Sequence, residues 1–489
     1  MKRSTLTTLA ALGAMAATAA RDAAPLSAQA QAAPAVATAP ALGAPPKVTM
    51  PPVRTTRLAN GLELHVVEMR EVPLVQLVLQ VPAGGRRDAR TPGLASFTAG
   101  MLDEGAGNLD AFGIAAQAEF LGADLSTAAD WDAIAVSMKA PKRNLAAAAE
   151  LMRTVALRPT FRAAEVARQR DLRLAGILQQ RDQPEVVAQL AFNALVFPEG
   201  HPYHAPLGGD SASTAALDSA MVRGFYQRWF RPEGARLIVT GDVTVAEARA
   251  LAQRHFGAWK GTGAAAATPV KPAAPAFDTT TVYLVDKPGA AQSVLVLGHP
   301  GVERSSPDYA ALQVMNTILG GSFSSRLNSN LRETKSWTYG ARSGFQYRPV
   351  PGAFLAQAAV RTDVTDSALV EFGKELRLMR DSLVDPVELA RAKQYLALGL
   401  AGDFETTTQM AGQVATLVTF GLPMTYYDAL VPKIMAVTAE DVRRVARQYV
   451  QPSKMSVVVV GDLKTVRPGV EALKLGRSSV RDMYGNEVN

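Results

Sequence analysis

Five histidines, at positions 65, 201, 204, 255 and 299, are the only imidazoles in a chain of 489 residues that contains no cysteine. A protein zinc site needs nitrogen, thiolate or carboxylate ligands converging on one point. Only His201 and His204 lie close together in sequence, and Pro202 between them argues for a loop rather than a helical H-x-x-x-H face. These histidines read as surface or turn residues. Another stretch, Gly93-Leu94-Ala95-Ser96-Phe97-Thr98-Ala99-Gly100-Met101-Leu102, has the form of a helix that could present ligands. Residues three and four apart share a helix face and can together grip one metal, yet every side chain in this stretch is apolar, a hydroxyl or absent, and none suits zinc.

Composition narrows the setting. Hydrophobic residues make up 48% and charged residues 19% of the chain, as in globular proteins, and the length suits two to four domains. The absence of cysteine excludes disulfides, thiolate metal sites and lipoprotein acylation. Residues 1–30 have the form of a secretory signal peptide: Lys2 and Arg3, an apolar run over 6–20, and a small-residue cleavage candidate at Ala28-Gln29-Ala30. That run is too short for a membrane span, so a periplasmic or secreted protein without stable membrane insertion is expected. The net charge of +7 is spread along helical segments beside acids, as in Glu165-Val166-Ala167-Arg168, and points to a solvated basic surface rather than nucleic-acid binding.

Two Ala/Pro-rich stretches, 31–50 and 261–276, read as a disordered lead-in and a linker. They leave domains at 51–260 and 277–470 and a tail at 471–489. The two domains look like copies. Phe230-Arg231-Pro232 leads into Arg236-Leu237-Ile238-Val239-Thr240-Gly241-Asp242, and Val450-Gln451-Pro452 leads into Ser456-Val457-Val458-Val459-Val460-Gly461-Asp462. Asp462 follows Asp242 by 220 residues, and Pro452 follows Pro232 by the same interval. Each unit reads as a helix, a turn and a buried strand, hence an internal duplication. Strands are expected over 62–67, 74–81 and within 124–138, with helices from Thr91-Pro92, over 109–121, 145–156 and 163–180. The second copy gives strands over 280–285, 293–299, 340–347 and 352–360, and helices over 307–318, 367–384 and 386–399. Runs of strands followed by runs of helices imply an α+β fold, with helices on one face of each sheet.

The duplication, the 93–102 helix, Asp182-Gln183-Pro184, His201-Pro202-Tyr203 and a later signature resemble the pitrilysin/insulinase (M16, inverzincin) metallopeptidases over about residues 55–463. That signature is Gly320-Gly321-Ser322-Phe323-Ser324-Ser325-Arg326-Leu327, followed by Leu331-Arg332-Glu333 and Thr338-Tyr339-Gly340. The resemblance implies two tandem homologous α+β domains, each a mainly antiparallel sheet covered by helices, forming half of a clam-shaped chamber around an unfolded peptide. It puts Ser96, Ala99 and Gly100 where the family has the H-x-x-E-H histidines and glutamate, and Gly176 where it has a further glutamate. It makes Arg332 and Tyr339 the pair that contacts substrate, and their donors suit an oxyanion developing in the transition state. Gly320, Gly321 and Ser322 become substrate-loop candidates, although the glycines also suit a tight turn after a helix. The family's peptide-holding sheet edge matches 123–128, which reads as an ordinary strand.

The resemblance and the blank positions together imply a non-catalytic, substrate-binding subunit of a heterodimeric zinc peptidase. It would have no cofactor of its own; a homologous partner carrying H-x-x-E-H would supply the zinc. Two other readings stand beside it: a stand-alone peptide-binding or chaperone-like pseudopeptidase, and a structural subunit of a membrane complex. Independent zinc proteolysis is contradicted by the blank ligand positions.

Overall fold

The computed structural model describes residues 49–88, 90–261 and 277–488. The expected signal peptide, nearly all of the lead-in and all of the linker but Gly261 lie outside them. Met50, assigned to the lead-in, is buried, and its N–H donates to the Asp428 carboxylate at 3.3 Å.

The strands run β1 (Arg54–Arg57), β2 (Glu63–Glu68), β3 (Leu74–Val81), a two-residue hairpin β4 (Gly105–Ala106) and β5 (Leu109–Asp110), β6 (Asp124–Ala129), β7 (Ile134–Pro141) and β8 (Arg236–Gly241). The second half supplies β9 (Thr281–Asp286), β10 (Gln292–Pro300), β11 (Thr338–Phe345), β12 (Ala353–Arg361), β13 (Ser456–Gly461) and β14 (Arg477–Val480). They form two six-stranded sheets in the orders β1-β2-β8-β3-β7-β6 and β14-β9-β13-β10-β12-β11. Strand for strand the orders correspond, and so do the directions. The pairs β2 with β8 and β9 with β13 are parallel, while every pair beyond them in each sheet is antiparallel. Only the outermost strands differ. Antiparallel β1 flanks the first sheet, and the second is flanked by β14, which pairs in parallel with β9 and is drawn from the segment read as a tail.

The expectation that helices cover one face of each sheet needs correction, because both faces are covered. Leu237 and Val239 of β8 point into the core built with their own half's helices, such as Leu145–Leu157, whereas Ile238 between them joins the core of the other half. Val457 and Val459 of β13 likewise face their own core, while Val458 and Val460 pack with Val187, Ala188, Ala191 and Phe192. The covering elements are exchanged. The Pro184–Val196 helix of the first half lies on β10 and β13, and the Thr407–Phe420 helix of the second lies on β3 and β8. A Cβ at Gly298 of β10 would come within 2.7 Å of the Phe192 ring, so glycine makes room for the incoming aromatic. Two-sided cover explains why β8 and β13 are unbroken apolar runs rather than alternating ones. The described residues of 45–489 accordingly form one compact unit.

Candidate functional site

The Leu94–Gly100 helix begins after Gly93, whose φ of 88° and 2.6 Å approach of its would-be Cβ to Gly208 O admit only glycine. Thr91, where the sequence suggests the helix begins, lies outside it. The Asp88 carboxylate accepts from Gly93 N (2.8 Å) and Ala95 N (2.7 Å), closing the free N–H groups of the first turn from outside the helix. Burial pushes this carboxyl up to about 7, against the pull of those two bonds and of Arg173.

The four positions matching the zinc site have distinct surroundings. Gly100 and Gly176 line one cavity of about 530 Å³ between the Leu94–Gly100 and Ala163–Gln180 helices, together with Phe97, Leu172, Ile177 and Leu190. Nothing lies within 4 Å of where either Cβ would be, so close packing is not the reason for glycine there. Ala99 is fully buried in the first core. Ser96 donates to Gly93 O (3.2 Å) and accepts from Arg173 Nη1 at 2.9 Å. Sequence reasoning missed Arg173. Its guanidinium also reaches Gly93 O (3.3 Å) and Gly208 O (3.4 Å), and its central carbon lies 4.9 Å from the Phe97 ring centroid. Burial pulls the guanidinium below its ordinary pKa, and the Asp88 charge offsets this only in part. A hydroxyl engaged by a cation, a buried methyl and two glycines do not fit a zinc ion. Among the described residues no group of three or more His, Asp or Glu side chains could hold a metal.

The histidines serve packing and turns. His65 Nδ1 pairs with Thr55 Oγ1 (3.0 Å), His255 Nδ1 with Glu150 (3.0 Å), and His299 Nε2 accepts from Gln451 N (3.2 Å). His201 stacks on Phe197 at 4.6 Å and accepts the Tyr203 N–H on Nδ1 at 3.1 Å; His204 Nδ1 donates to Phe197 O. Tyr203 packs edge-on to Trp131 of the first half, with the Arg348 guanidinium of the second 4.2 Å from its ring. The His201-Pro202-Tyr203-His204 loop therefore clamps the halves together.

The second-half signature residues come together. Thr317–Gly321 form a π-helical segment, Ser329–Thr334 a second one carrying Arg332, and Tyr339 stands at the start of β11. Gly320, Gly321, Ser322, Arg332 and Tyr339 all line one cavity of about 520 Å³. Tyr339 is 91% exposed, beside a register shift between Thr338 and Ala341 on a strand that, among the described residues, pairs on one side only. Arg332 lies over the Phe323 ring (4.4 Å), and its Nε is 3.5 Å from Glu333, which leaves donors for a ligand. Gly320 and Gly321 end a helix rather than form a separate turn. A Cβ on Gly320 would collide with Ser343 N, so glycine there permits close packing onto β11, whereas one on Gly321 would lie 2.7 Å from Asn316 Nδ2 at the end of the preceding helix. Sequence reasoning also missed Arg342, on the exposed face of β11 in the same cavity, which donates to the Gln357 side-chain carbonyl at 2.6 and 2.7 Å. Its signal was the strand alternation, with buried Ala341 and Ser343 on either side.

The Pro184–Val196 helix links the two cavities: Glu185 lines the second, Val186 and Leu190 the first. The segment matching the family's peptide-holding edge is β6, which also pairs on one side only. The site residues thus fall into two neighbouring hollows of opposite character. One offers no metal ligand at the positions matching the family's zinc motif, and the other is rich in donors.

Comparison with known proteins agrees with this arrangement. The model of the insulinase family (peptidase family M16) matches residues 66–202, and that of the peptidase M16 inactive domain matches residues 216–396. An uncharacterised zinc protease of Mycobacterium bovis is 27% identical over 83% of this chain and 92% of its own length. The solved peptidase M16 inactive domain from Pseudomonas fluorescens superposes with a TM-score of 0.78 at 29% identity, covering 84% of this chain and 98% of that one. A Helicobacter pylori protease structure shares the fold, with a TM-score of 0.79 at 20% identity over 84% of this chain and 100% of that one. With the duplicated sheets and the two hollows in view, the chain belongs to the pitrilysin/insulinase (M16) peptidase family.

Proposed function

We propose that this chain is the non-catalytic, substrate-binding subunit of a heterodimeric M16 peptidase, exported to the periplasm or beyond. A homologous partner with H-x-x-E-H supplies the zinc and general base. This chain supplies Arg332 and Tyr339, whose guanidinium and phenol bind the peptide carbonyl and stabilise the charge that grows on it during attack. One observation carries the reading: the positions matching the metal site hold no ligand, while Arg332 and Tyr339 line a common open cavity with unused donors. Two walls that meet the substrate only on closure can come from separate chains, since catalysis needs only that the bound geometry be productive.

The test is co-purification with a homologous H-x-x-E-H chain and turnover of an unfolded peptide. Neither chain alone should cleave. Arg332→Ala and Tyr339→Phe should each lower turnover of the complex by about a hundred-fold, the effect of deleting one oxyanion donor, with folding unchanged. Equal turnover in wild type and both variants removes the assignment.

A further inference from the structure

Among the described residues, Arg173 is the one charged side chain lining the cavity at the degenerate metal centre. All its hydrogen bonds are made through Nη1, to the neutral acceptors Ser96 Oγ, Gly93 O and Gly208 O. Within the same set of residues Nε and Nη2 have no hydrogen-bond partner, and no carboxylate lies within ion-pair distance. Asp88, the nearest acid acting on it, has its oxygens turned to Gly93 N and Ala95 N. A partly buried cation with no carboxylate in contact, its charge met only in part by Asp88, carries a desolvation cost that an entering anion would relieve. The remaining walls suit an organic anion. Phe97, Leu172, Ile177 and Leu190 supply apolar surface beside the neutral amides of Gln169 and Gln180, and the missing side chains of Gly100 and Gly176 create the space. A volume of about 530 Å³ lies in the range of small-ligand sites. One planar guanidinium with two adjacent free donor nitrogens matches the paired oxygens of a single carboxylate.

We propose that this cavity binds a carboxylate of a peptide, with Arg173 as its counter-ion, so that a cation fixed in the protein serves where relatives would hold a metal. The carboxylate can come from a chain terminus or an acidic side chain. The proposal rests on the proposed function only in taking a peptide as ligand; it needs no partner chain.

The test uses the full chain alone and a short unstructured peptide of alanine, serine and glycine, monitored by fluorescence anisotropy. Three forms are compared: free C-terminus, C-terminal amide, and amide with one internal glutamate. At least one acid form should bind about tenfold or more tightly than the plain amide, as for a charge-assisted bond. The acid form that does so identifies the source. Arg173→Met should abolish the difference. That variant also removes bonds to Gly93 and Gly208, so Gly176→Leu provides a second arm. It fills the cavity from a helical position with open space around the new Cβ, and should weaken the acid peptide about tenfold with no fall in Tm. Equal affinity for all three forms overturns carboxylate recognition while leaving the Arg332 assay untouched. Acid-selective binding that survives in both folded variants overturns the assignment to this cavity.

Discussion

Arg173 alters what it would take to build the family's metal site in this chain. Ser96→His, Ala99→Glu, Gly100→His and Gly176→Glu would put back the family's donors, but the Arg173 guanidinium already lies within 2.9 Å of the Ser96 hydroxyl. Two unit charges about 4 Å apart repel by about 4 kcal/mol at an effective dielectric of 20, and a dication feels more. The four-residue variant should therefore bind zinc at least tenfold more weakly than the same variant with Arg173→Ala, measured by competition with a chelating dye. Equal affinities would show that the guanidinium is indifferent to metal. Of this centre, Ser96, Ala99 and Gly100 are read from the family's motif and Gly176 from its spacing beyond that motif. Arg173 is not legible in the sequence. Arg168, Arg170 and Arg173 share one helix, and only the packing of the Leu94–Gly100 helix against it selects which of them meets Ser96.

Among the elements, most strands and the helices over 145–157 and 163–180 followed from apolar periodicity and turn residues. The helices at Pro184–Val196 and Thr407–Phe420 did not, and neither did their placement. Periodicity marks an apolar face but says nothing of which sheet it covers, and these two cover the sheet of the opposite half. The nearest clue was the unbroken apolar runs in β8 and β13, which require cover on both sides. The loop after the Pro184–Val196 helix has a pH signature. Burial, aided by the positive charge of Arg348 and by His204, pulls His201 down to about 4 from 6.5, and its unprotonated Nδ1 accepts the Tyr203 N–H. Between those values the unfolded chain binds the extra proton and the folded chain resists it. The contribution of His201 to stability is therefore full above about 6.5 and is lost as pH drops towards 4. On acidification across this range, denaturant midpoints should shift downwards more in wild type than in His201→Asn, which keeps an acceptor without a titrating group; the opposing contribution of Asp88 is common to both. Parallel slopes would mean that His201 is not the group responsible.

At the scale of the molecule, duplication and exchange pull in different directions. Matching sheet orders and a constant 220-residue offset describe two equivalent units. Yet neither unit covers both faces of its own sheet. Residues 49–261 expressed alone would leave Val67 and Ile238 without the Thr407–Phe420 helix, and would present Val187, Ala191 and Phe192 to water. Each large apolar side chain loses about 1.5–3 kcal/mol on exposure, and several together are enough to exhaust the stability of an ordinary domain. Either half alone should be insoluble or molten, with weak near-ultraviolet dichroism, whereas the two halves produced together should assemble and unfold in one transition. A cooperatively melting isolated half would contradict this. The same exchange orders events during synthesis. The helix at 184–196 leaves the ribosome well before β10 and long before β13, the strands it must cover, while the roof over β3 and β8 is made only at 407–420. Folding is thus withheld until nearly the whole polypeptide has been translated, and a nascent chain halted before residue 420 is material for chaperones and proteases.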